Sequence, residues 1–148
     1  MFIFKFKNVP TKLIKWLIAF SIFEIIILAP LSSYVPILPL IKKEWGINNF
    51  QSGSIYSAYL IGYAFSSLII LPFADKFDTR KVFLLSCTLF VFSHLVFALF
   101  ATNLILAWMI FLFSGAGLLG IYMIGIRIIS DQFEENIRGT AIGLFVSA

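Results

Sequence analysis

From Val82 to Ile126 the chain runs for 45 residues without a single Asp, Glu, Lys or Arg. No other feature restricts its fold so strongly. A helix crossing ~30 Å of hydrocarbon at 1.5 Å per residue needs ~20 apolar residues. The stretch is therefore too long for one crossing and right for two. The triplet "ATN", Ala101 to Asn103, is the natural place for a tight turn within it. This predicts a third span at about 82–100 and a fourth at about 104–130. Two earlier runs are also of membrane length: 16–41, whose only charge is Glu24, and 53–73, which has none. Barrel strands alternate polar and apolar residues, whereas these runs are apolar throughout. The expected fold is an all-α integral membrane bundle.

Composition agrees. The chain is 61% hydrophobic and 12% charged, too little polar surface for a soluble domain of 148 residues. The net charge of +4 does not point to nucleic acid. The Lys and Arg residues sit at the ends of apolar runs and form no patch with aromatic partners. The 18 Phe are read as lipid-facing and packing groups. Cys87, the lone cysteine, has no partner for an internal disulfide or a thiolate metal site. It reads as a small buried hydrophobe. No Ser-His-Asp set, paired catalytic carboxylates or HExxH motif is present, so an enzyme reading fails. No metal and no organic cofactor is implied.

"MFIFKFKNVPTKLIKW" is basic and leads into an apolar run, as a signal peptide does. That run is too long for an h-region and lacks a small-x-small cleavage site, so it reads as a retained first helix. At the other end "GTAIGLFVSA", from about 139 to 148, is apolar but too short to cross a bilayer. The chain is expected to be the front of a longer protein, cut inside its fifth helix.

Orientation follows from Lys and Arg. With the N-terminus in the cytoplasm, Lys5, Lys7, Lys12, Lys15, Lys76, Arg80, Lys81 and Arg138 lie inside, and Lys42 and Lys43 outside. That is a positive-inside distribution. The short loop between the second and third spans is then cytoplasmic. It reads "LPFADKFDTRKV" and concentrates Asp75, Lys76, Asp78, Arg80 and Lys81.

This loop resembles the motif that the major facilitator superfamily of secondary transporters carries at the same place, roughly G-x-L-A-D-R-x-G-R-R/K. Ala74, Asp75, Lys76, Arg80 and Lys81 match in kind and spacing. Leu71 and Asp78 stand where the family has glycines, and Thr79 replaces the first paired basic residue. Asp78 is among the better non-Gly residues for a turn with φ > 0. "PLIKKEWGIN", "SGAGLLGIY" and "DQFEENIRGTAIGLF" are similar to the family's exit from helix one, its helix four and its entry to helix five. Phe111 and Ser114 stand where drug/proton antiporters of the family carry the Arg and Gln of R-x-x-Q-G, which argues against that branch.

The resemblance implies the first four helices and the start of the fifth in a 12-helix fold. It also implies alternating access, with the charged loop at the cytoplasmic contact between two six-helix halves. There Asp75 could cap a helix of the other half, braced by Arg or Lys. The plainer reading is positive-inside signalling, to which Asp75 would add almost nothing.

Inside the membrane the candidates are few. Glu24 lies near mid-span, with Ser21 and Ser32 within an arc of ~80° on the same helix. A buried carboxyl at that depth is expensive. It suits proton coupling or solute binding, or a structural hydrogen bond. Tyr56, Tyr59, Tyr63 and Ser66 share a face of the second span. They line the path, or pack, or sit in an aromatic belt. Gly115, Gly117, Gly120 and Gly125 in the fourth span, and Gly139 and Gly143 in the fifth, read as close-packing faces. Arg127 either snorkels to the interface or faces the cavity. His94 is isolated and reads as a packed imidazole. Pro30, Pro36 and Pro39 either kink the first helix or end it near Tyr34.

The sequence therefore predicts secondary transport of a small solute across a cell membrane of the bacterial inner-membrane type. The expected partners are lipid, the solute, protons if Glu24 couples, and the C-terminal helices of the same protein. The rival is a small non-transporting tetraspan scaffold or assembly subunit.

Overall fold

The computed structural model describes residues 9–147, apart from the side chains of Leu71 and Phe73. Lys5 and Lys7, counted above for orientation, lie outside the described residues. All elements among the described residues are helices: α1 Thr11–Ser32, α2 Tyr34–Trp45, α3 Asn49–Lys76, α4 Thr79–Phe100, α5 Leu104–Gln132 and α6 Glu135–Val146. Four segments are long and apolar enough to cross a membrane: α1 with α2, then α3, α4 and α5.

Local chemistry sets the helix ends. Asn103 caps α5, its side chain accepting from the Leu106 N–H at 2.9 Å, so "ATN" does turn the chain. Asn48 and Gln51 satisfy each other's backbone N–H at the start of α3, at 2.8 and 3.0 Å, as in a capping box. Gly46 ends α2 at φ 65, the left-handed conformation that glycine adopts without strain.

The first helix ends at Ser32, one turn residue before Tyr34, as one of the two proline readings expected. The chain turns at Ser33 and stays helical to Trp45. Together α1 and α2 span 35 residues, about 52 Å at 1.5 Å per residue, longer than a hydrocarbon core.

The bundle is organised around α5, which packs along both α3 and α4, while α1 touches α4 and α6 more lightly. Close approach needs missing side chains. A Cβ on Gly115 would meet the Tyr63 nitrogen at 2.8 Å and the Tyr59 carbonyl oxygen closer still. A Cβ on Gly62 would meet the Leu112 carbonyl carbon at 2.7 Å. The two notches face opposite ways across α3 and α5, and Gly62 was not among the glycines singled out from sequence. Gly117 abuts the Phe90 backbone of α4, Gly120 abuts Ser86, and Gly125 abuts the Phe145 ring of α6. The packing expected at Gly139 and Gly143 is not made among the described residues. Nothing lies within 4 Å of either Cβ position, because α6 turns Ala141 and Phe145 inward instead.

Candidate functional site

Polar groups collect at two levels. One is the end of the bundle where α3 meets α4 and α5 stops. Arg127 there donates to Asp75 Oδ1 at 2.6 Å and to the Ala74 carbonyl at 3.2 Å. The second bond places a cation on the C-terminal end of α3, where the helix dipole favours it. Arg127 is therefore held by α3 rather than free, although 41% of its side chain stays exposed. It ties α5 to α3 through a residue 52 positions earlier in the chain.

The neighbouring loop residues behave differently. Asp78 does not occupy a left-handed turn: its φ is −57, and its side chain accepts from the Arg80 N–H at 2.8 Å as the N-cap of α4. Capping explains an Asp here better than tolerance of positive φ, since it satisfies an orphan donor of the first turn. The Lys76, Arg80 and Lys81 side chains are exposed, and none makes an ion pair among the described residues. A groove of about 1090 Å³ opens beside this cluster, with Lys12 and Trp16 of α1 on one side and Asp75, Arg80, Arg127 and Asp131 on the other.

The second level is mid-span. Glu24 is 2% exposed, and neither carboxylate oxygen has a hydrogen-bond partner among the described residues. Ser21, one turn earlier, is also buried with its hydroxyl unpartnered. Ser32 is exposed and does not extend this stripe. The buried positions Leu17, Ser21, Glu24, Ile27 and Tyr34 advance by fewer than 3.6 residues per turn, so the contact line rotates away from Ser32.

Tyr122 of α5, which sequence reasoning passed over, is half-buried and packs edge-on against Phe145 of α6 at 6.4 Å. Tyr59 is 2% exposed, with its hydroxyl unpartnered among the described residues. It stacks on Tyr56 at 5.4 Å, while Tyr63 is half-buried.

His94 fits a packed imidazole. Its Nδ1 lies 3.0 Å from the Phe90 carbonyl and 3.3 Å from the Ser114 hydroxyl, and its ring rests on Phe90 at 4.4 Å. Phe111 is 1% exposed and sits among Tyr34, Phe97 and His94. Charge at this position of α5 would be stranded in an aromatic core. No group of three or more His, Cys, Asp or Glu able to hold a metal occurs among the described residues.

Membrane-length helices packed through glycine notches, with a buried carboxyl that has no hydrogen-bond partner among the described residues, define a polytopic helical membrane protein. Its sequence matches the Major Facilitator Superfamily over residues 19–148, and the chain belongs to that family. It is 28% identical to a 4-hydroxybenzoate transporter PcaK of Acinetobacter baylyi, over 95% of this chain and 34% of that protein. It is 32% identical to PcaK of Pseudomonas putida, over 74% of this chain and 25% of the relative. It is also 32% identical to the niacin transporter NiaP of A. baylyi, over 75% and 25%. No solved structure matches the chain significantly. The chain spans about a quarter to a third of the length of these relatives.

Proposed function

We propose that this chain is the front part of a secondary active transporter that moves a small solute by alternating access, with Glu24 carrying a coupling proton. The observation behind the reading is Glu24 itself, a mid-span carboxyl that is 2% exposed and unpartnered among the described residues. An unpaired charge so placed is costly unless it can be neutralised. Protonation provides that, and it gives the site two states that an ion gradient can drive.

The relatives are named for 4-hydroxybenzoate and niacin, both aromatic rings bearing a carboxylate. Carrying that class to this chain strengthens the coupling argument. A carboxylate solute near an ionised Glu24 would be repelled, so solute and proton enter together, as in symport. Tyr59, Tyr63 and Tyr122 supply aromatic walls and hydroxyl donors.

The Asp75–Arg127 pair, with Lys76, Asp78, Arg80 and Lys81, serves as the gating contact at the cytoplasmic end. The membrane is of the bacterial inner-membrane type, with the N-terminus inside. Gly139 and Gly143 are left to pack against later helices of the same protein. The tetraspan scaffold reading is not favoured.

The test is Glu24→Gln in the full-length transporter, with radiolabelled 4-hydroxybenzoate as the probe. Accumulation against a gradient should stop, while downhill exchange of the probe continues. A Glu24→Gln protein that still concentrates the probe with an unchanged pH profile removes Glu24 from the mechanism.

A further inference from the structure

The half-helix α2 meets the bundle along one face, where Ile37, Leu38 and Trp45 pack partly buried beside the buried Tyr34 and Ile41. Of its twelve residues only Tyr34 and Ile41 are buried, while Val35 and Leu40 are each 67% exposed. The chain just before and within it is short of backbone donors. Pro30, Pro36 and Pro39 lack an N–H, so the carbonyls of Ile26, Ser32 and Val35 lose their partners one turn on. At the turn, the Ser33 hydroxyl donates to the Pro30 carbonyl at 2.6 Å in place of a longer ladder. A helix interrupted in this way bends where its ladder is broken.

One buried side-chain hydrogen bond bridges this weak point. The Tyr34 hydroxyl donates to the Ser52 carbonyl, in the first turns of α3, at 2.8 Å. Both residues are 4% exposed. The Tyr34 ring also lies 4.9 Å from Phe111 and 6.2 Å from Phe97. At the far end of α2, Lys42 donates to Asn49, but that contact is exposed to solvent. Exposed polar contacts contribute little. The Ser52 carbonyl also has the helical N–H one turn on, so it would not be orphaned if Tyr34 left. The bond can therefore open without stranding a buried acceptor.

We propose that Tyr34 is a positioning residue of the transport cycle: its hydrogen bond to Ser52 pins α2 over the start of α3 in one access state and breaks when α2 swings about Ser33 to open that end of the path. The proposal rests on the alternating-access reading, and its test needs no solute.

Leu38→Cys is introduced in a Cys87→Ser background, and its rate of reaction with an impermeant maleimide is measured in open membrane fragments, where either face is reachable. Phe50→Cys, at a position 85% exposed, serves as the reference. Tyr34→Phe keeps the ring and removes the hydroxyl. It should speed labelling at position 38 about twofold to tenfold, the ratio expected for one net hydrogen bond, with the reference unchanged. Phe97→Leu disturbs the same ring packing but leaves the hydroxyl in place, and should not speed labelling. Equal rates in Tyr34→Phe and its parent overturn the proposal, as does equal acceleration by Phe97→Leu. Failure of Tyr34→Phe to accumulate in the membrane also overturns it, since the hydroxyl would then be a folding requirement. Absence of uptake by the full-length protein would count against the transport reading and leave these labelling rates to decide the hinge.

Discussion

Gly115→Ala should destabilise the bundle, although alanine is the better helix former. In an exposed helix the exchange would stabilise by about 0.5–1 kcal/mol. At position 115 the new methyl would lie 2.8 Å from the Tyr63 nitrogen and 3.0 Å from the Tyr59 carbonyl carbon, with the Tyr59 oxygen nearer still. All three are backbone atoms of α3, so no side chain can rotate aside. Relief requires α3 and α5 to part along the interface that organises the fold. Overpacking of this kind costs about 1–3 kcal/mol, and a clash with backbone belongs at the upper end. The net effect should be a loss of about 2 kcal/mol, roughly thirtyfold in the folded-to-unfolded ratio. Gly53 is the control, since nothing lies within 4 Å of its Cβ position, and Gly53→Ala should be neutral or stabilising. Unfolding by dodecyl sulfate in mixed micelles, followed by circular dichroism, reads both. Coincident midpoints for the two variants would refute the notch as the basis of helix packing.

Three other outcomes are expected. In a Cys87→Ser background, a cysteine at position 48 should label from outside intact cells and one at position 78 should not; the reverse pattern would invert the proposed orientation. Asp78→Ala should lower stability by about 0.5–2 kcal/mol and Asp78→Gly by only a few tenths, as for an N-cap; stabilisation by Gly would instead indicate a left-handed turn. With side chains 41% and 71% exposed, the Arg127–Asp75 pair should contribute less than about 1 kcal/mol to stability. Asp75→Asn in the full-length protein should accordingly express normally but transport slowly, with uptake partly restored by the exchange Asp75→Arg with Arg127→Asp; normal uptake by Asp75→Asn alone would end the gating role.

The helical class was legible because hydrocarbon demands long uncharged runs, and the stretch from Val82 to Ile126 leaves no other solution. The turn at Asn103 was legible for a local reason, since a side-chain cap needs only residues adjacent in sequence. Contacts between helices were not. Gly62 carries no mark that separates it from Gly53, yet one faces a backbone and the other open space. Arg127 and Asp75 are 52 residues apart, and only the close approach of α3 and α5 brings them together. Ser32 was misplaced because an ideal 100° step was extended along a helix whose buried line precesses. Tyr34 drew notice only as the place where the first helix could end, which it nearly is, but its hydrogen bond to Ser52, 18 residues on, was not legible.

The central position of α5 bears on how the protein is made. Twelve of its 29 residues are buried, and its main partners α3 and α4 precede it in the chain while touching each other little. The ribosome therefore delivers both walls of the groove before the helix that fills it. Until Leu104–Gln132 is in place, the Gly62 notch lacks Leu112 and the Phe90 backbone lacks Gly117. Close packing of α3 and α4 in this bundle thus has to wait for residues 104–132, because these two helices meet mainly through α5.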